Sequence, residues 1–168
     1  MRHGIKARLA LFKKSAFENA VRLFQDASQL FQSRRFPSAF ALAVTSFEEL
    51  GKMHVIDRGC DAICLNPDAF DQIYEMYFTG PWLTDHLHKQ RCALFDALDL
   101  AFDQEKTLTW VDSGGLENER RIALYVEMTN RSVNSVDRIT EAKAKRVLDL
   151  CYSGLVDSAK LAFNGVGA

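Results

Sequence analysis

Apolar residues recur at steps of three and four from Ile5 through Leu9, Phe12, Ala16, Ala20, Leu23 and Ala27 to Leu30. Strand side chains alternate with a period of two, so this repeat belongs to one face of a long helix. It breaks at Ser33-Arg34-Arg35-Phe36-Pro37. A residue before proline is pushed out of the helical region, whereas proline suits a first helical turn, so a second helix starts near Pro37. That helix repeats Phe36, Phe40, Ala43, Phe47, Leu50 and His54, with Gly59 as its stop signal. Two antiparallel helices joined by a tight turn result.

Farther on, Asn66-Pro67-Asp68 and Gly80-Pro81 bracket an aromatic segment, 69–79, read as a brief helix or a lid. Leu87, Leu94, Leu98 and Ala101 mark a third long helix from Trp82 to Phe102, and Asp112-Ser113-Gly114-Gly115 marks the longest loop region. Residues 116–131, with Ile122, Leu124, Tyr125 and Val126, fit either a helix or an extended stretch. Asn134 with Asp137 starts a last helix, whose period runs from Ala144 to near Phe163. No internal repeat and no strand-like alternation is present, so the expectation is an all-α bundle of four main helices with additional short ones, as a single domain over 1–168.

Composition narrows function. With 48% hydrophobic residues and twelve Phe in 168 positions, the chain has enough apolar material for one core. Lys and Arg total 21 against 22 Asp and Glu, so no overall field draws it to nucleic acid or to anionic membrane. Four cysteines lack a disulfide-framework spacing, and the N-terminus lacks a signal-peptide apolar core, which points to a reducing cytoplasm. No apolar run approaches the roughly 20 residues of a membrane span, so no membrane partner is expected.

Three stretches carry chemistry. In Phe47-Glu48-Glu49-Leu50-Gly51-Lys52, a helical glycine costs about 1 kcal/mol against alanine, which hints at a close approach by another helix or a ligand. Glu48 and Lys52 are spaced for a surface pair, while Glu49 projects nearer the packed side. In Asp85-His86-Leu87-His88-Lys89-Gln90-Arg91, His88 and Arg91 share a face with Phe95; histidine serves as acid or base and arginine holds phosphate charge, or both simply pack. In the stretch from Glu119 to Glu127, Arg120 and Arg121 precede Tyr125, which presents a hydroxyl to a polar pocket or anchors in the core.

Metal and cofactor sites find little support. A di-iron carboxylate site needs Glu-x-x-His on two helices, and only Asp85-x-x-His88 comes near it. Cys60 and Cys64 have no second pair to complete a zinc site, and no phosphate-binding glycine loop or nucleophile elbow is present. The expectation is no metal and no cofactor.

The Glu-Glu-x-Gly-Lys element, then His88-Lys89 with Arg91, then Arg121 before Leu124-Tyr125-Val126, resemble in order and spacing the AbiV family of bacterial abortive-infection proteins, a branch of the HEPN helical bundles. The likeness runs from about Phe17 to Phe163. It implies a HEPN-like antiparallel four-helix bundle and a cytoplasmic phage-defence role. On that likeness Glu49, His88 and Arg121 are the catalytic candidates, and Glu48, Lys52, Lys89, Arg91 and Tyr125 the binding ones. Many HEPN ribonucleases place an arginine one to two helical turns before a histidine. No arginine stands so before His54, His86 or His88. Two mechanisms follow: a homodimer that binds a phage or host protein, or a metal-independent ribonuclease that holds or cuts RNA. If the second operates, His88 and Glu49 meet in an open, positively charged cleft.

Overall fold

A computed structural model describes residues 2–97, 104–124 and 138–164, which form helices and short connections with no strand among them. The long helices are α1 (Arg2–Gln32), α2 (Phe36–Leu65), α4 (His86–Ala97) and α7 (Glu141–Asn164). Shorter ones are α3 (Phe70–Tyr74), α5 (Gln104–Asp112) and α6 (Gly115–Leu124). None of the described helices is long and apolar enough to cross a membrane.

The turn between α1 and α2 lies where the proline signal put it. Arg34 takes a left-handed backbone (φ 57°), and Arg35 and Arg34 donate N–H bonds to the carbonyls of Leu30 and Phe31 at 2.9 Å each. Those paired bonds close the helix end in the way glycine usually does, here with an arginine. α2 then runs back along α1 and packs against α4, α6 and α7 as well. Apolar and small residues therefore cover most of its circumference, leaving a partly exposed stripe through Thr45, Glu49 and Lys52, and Phe40, Ala43, Val44, Phe47, Leu50 and Val55 are all fully buried. Alanines at 16, 20 and 27 let α1 lie close, so that Ser46 Oγ donates to the Ala20 carbonyl at 2.7 Å. On the α7 side, Cys151 Sγ donates to the Ala43 carbonyl at 2.9 Å, and burial pushes its thiol pKa up to about 12.

Several boundaries differ from expectation. Gly59 does not end α2; it sits inside the helix, where a Cβ would lie 2.5 Å from the Phe78 ring. The 69–79 segment is helical throughout, with α3 passing into a π-helical turn, Glu75–Thr79. Trp82 belongs to a 3-10 turn, Pro81–Leu83, and α4 starts only at His86. The anticipated long loop at 112–115 is a two-residue turn, Ser113-Gly114, with Gly114 at φ 72°. Beyond it, 115–124 is helix, which resolves the first part of the open stretch. Residues 98–103 and 125–137, which include Leu98, Ala101, Tyr125 and the expected start of the last helix, lie outside the described residues. Phe12, assigned to the buried stripe of α1, is instead exposed, because little covers the first turns of that helix.

Candidate functional site

The densest set of polar side chains lies where α2, α4 and α6 meet. Glu48 shares a helical face with Val44, Gly51 and Val55, so it points into the bundle and is only 3% exposed. Gly51 allows α4 to come against that face: a Cβ there would sit 2.0 Å from the Lys89 carbonyl oxygen. Asp85 begins α4 by accepting the His88 backbone N–H at 2.9 Å, a bond typical of a helix N-cap. That start sets His86, Lys89 and Gln90 along one side of α4, facing Glu48. From α6, Glu117 and Arg120 close the group.

Every oxygen of Glu48 is engaged. Oε2 lies 2.7 Å from His86 Nδ1 and 3.7 Å from Lys89 Nζ. Oε1 accepts from Gln90 Nε2 at 2.8 Å and lies 3.8 Å from Arg120 Nε. An ionised carboxylate only accepts, so His86 carries its proton on Nδ1 and donates it. Arg120 meanwhile grips Glu117 through two bonds of 2.8 and 2.7 Å. Burial pushes the Glu117 carboxyl up, but the bonds and charge of Arg120, helped by His86 and Gln90, hold it below the usual glutamate range.

Glu48, His86 and Glu117 offer donor atoms within 4.8 Å of one another, the spacing of a metal triad. The charges speak against one. Lys89 and Arg120 already supply a positive charge for each carboxylate, and a divalent ion would face both within 4 Å of its Glu48 ligand. The set fits an internal ion cluster better than a metal centre.

The sequence-derived candidates are distributed differently from expectation. Glu48, not Glu49, is the inward acid, and Glu49 rather than Glu48 pairs with Lys52, at 2.5 Å. Lys89 joins the Glu48 cluster, whereas Arg91 reaches outward to Asp112 at 2.6 Å. His88 turns to its own side of α4: its ring lies 4.6 Å from that of Trp82, and Nε2 is 3.5 Å from Cys92 Sγ. Burial and the nearby Arg58 and Arg91 lower its pKa despite Asp85. Arg121 is exposed, and its neighbour Arg120 turns inward. His88 and Glu49 thus have separate partners. His86, Gln90, Glu117 and Arg120 complete the group beyond the sequence-derived candidates; His86, Gln90 and Arg120 stand inside the three chemistry-bearing stretches, and Glu117 just outside the third. The missed signal was register: Glu48 lies one turn before Gly51, so the acid, too, belongs to the close-contact face.

This is a helical protein built around a buried glutamate, Glu48, that is neutralised by its neighbours and reaches the surface through His86. Residues 8–64, which are most of α1 and all but the end of α2, match the family model described as HEPN_AbiV, AbiV. That stretch, about a third of the chain, is similar to the AbiV family; the match includes Glu48, Glu49, Gly51 and Lys52 and stops short of the histidine and arginine stretches. No curated protein and no solved structure matches it.

Proposed function

We propose that this chain is a bacterial abortive-infection protein that acts in the cytoplasm, as a homodimer, by binding a phage or host protein. The family match supports the defence role. The observation that carries the binding mechanism is the neutralisation of the Glu48 cluster: Lys89, only 6% exposed, and Arg120 are spent on its carboxylates, which leaves His86, exposed at the cluster's edge, without a spare cation beside it for phosphate. Phosphodiester cleavage needs an accessible acid–base group with cations left over for phosphate. With His88 held by Cys92 and Trp82, and Glu49 by Lys52, the ribonuclease reading through Glu49, His88 and Arg121 has less support.

The test combines phage plating on cells that express the chain with incubation of total bacterial RNA and the purified protein. Protection against phage, together with intact RNA, is the expected result. RNA cleavage that His88→Ala and Glu49→Ala abolish in folded protein would overturn the binding mechanism in favour of a ribonuclease.

A further inference from the structure

One end of the bundle has the opposite character to the Glu48 cluster. The apolar stripe of α1 continues to Ile5, yet its first turns have little cover. A groove of about 380 Å³ separates Ile5 and Leu9 from Ile56, Ile63 and Phe70. An adjoining groove of about 190 Å³, which shares Ile5, Leu9 and Ile56 with the first, lies between Phe12 and the rings of Tyr74 and Phe78. Six large apolar side chains are exposed among the described residues, and four of them, Leu11, Phe12, Leu65 and Met76, belong to the segments that form this end. Leu65 is 87% exposed. Apolar surface gathered in this way marks a place of association.

Charge indicates what covers it. Residues 2–17 of α1 carry five Lys and Arg and no Asp or Glu, whereas residues 57–75 carry five Asp and Glu and only Arg58 as a base. Arg8 and Lys14 are exposed on the first strip, Lys14 lying 3.7 Å from Glu18 at the end of the strip, and Asp61, Asp68, Asp71 and Glu75 are exposed on the second. Within one copy the strips already attract across the groove, where Lys13 Nζ lies 2.7 Å from both oxygens of Asp57. An anionic lipid surface would be drawn to the basic strip and repelled by the acidic one. A second copy, rotated by a two-fold axis, sets plus against minus twice.

We propose that this end is the surface through which two copies pair, the basic strip of each against the acidic strip of the other, with the apolar grooves between them. The inference rests on the homodimer reading above and adds its face. Sedimentation equilibrium on the full chain tests it with two charge-reversed variants, Arg8→Glu with Lys14→Glu and Asp68→Lys with Asp71→Lys. All four positions are exposed, and circular dichroism verifies folding. Each variant alone sets like charges together and is expected to self-associate on the order of 10- to 100-fold more weakly than the parent. An equimolar mixture of the two recovers a heterodimer. If the parent is a dimer and both variants dimerise as well as it does, the face is wrong and the homodimer reading stands. A parent that stays monomeric at every concentration removes the homodimer reading, and this inference with it.

Discussion

The helix α2 passes through two unlike neighbourhoods. Near Glu48, opposite charges are brought inside and cancel at 3.7 and 3.8 Å, with hydrogen bonds from His86 and Gln90 beside them. From Ile56 to Leu65 the charges stay at the edges, and the apolar surface between them is left open. The first arrangement locks helices together, because a buried ion without its partner is costly. The second does little for the isolated chain and has its value in contact with something else. Polar residues are therefore a poor guide to the working surface here, and uncovered apolar ones a better guide.

Four measurements break or sharpen that contrast. The largest effect is expected from Glu48→Ala, which leaves the buried Lys89 without its counter-ion while Arg120 keeps Glu117; loss of about 3–5 kcal/mol in urea unfolding is expected. A loss below about 1 kcal/mol, as for exposed pairs, would mean that the cluster is not a lock. Gly51→Ala comes next. Its Cβ collides with the Lys89 backbone, so α2 and α4 must part, at roughly 1–3 kcal/mol even after alanine's helix preference of about 1 kcal/mol. A more stable variant in thermal melts would contradict the close approach.

The pH dependence is smaller, since both groups concerned are partly exposed. His88 has a folded pKa below the ordinary 6.5, so its contribution is complete above 6.5 and lost as pH falls through the lowered value. Glu117 lies below the ordinary 4.5, and its contribution disappears in the same direction at lower pH. Stability should fall toward acid in two stages, with His88→Gln flattening the upper and Glu117→Gln the lower in urea titrations at a series of pH values. Smallest of all, Leu11→Asp should move the stability of the monomer by no more than about 0.5 kcal/mol, as surface positions do. A loss comparable to that of Glu48→Ala would place Leu11 in the core and close the open end.

The α1–α2 pair was legible from the stripe at Ile5 to Leu30 and from Pro37, because helix period and proline geometry are local properties. Close approach at Gly51 was legible too, from the cost of glycine in a helix. The reach of α2 past Gly59 was not: that glycine makes room for the Tyr77 and Phe78 rings, and only tertiary packing separates that use from a stop signal. The site was readable as three stretches but not as individual partners. Whether Glu48 or Glu49 turns inward depends on which sides of α2 are covered, and α4, α6 and α7 cover nearly all of them. Exposure at Phe12 escaped for the converse reason, since periodicity defines a face without saying that anything lies on it.

The four thiols divide along the same line. Cys92 and Cys151 are buried, the latter with its sulfur–hydrogen bonded to a carbonyl and its thiolate form suppressed at neutral pH. Cys64 is exposed and Cys60 half-buried, both on the wall of the open groove. The folded chain thus carries its own chemical tag. An alkylating dye added to the native protein labels Cys64 first, without any engineered cysteine, and whatever shelters the groove slows that single reaction.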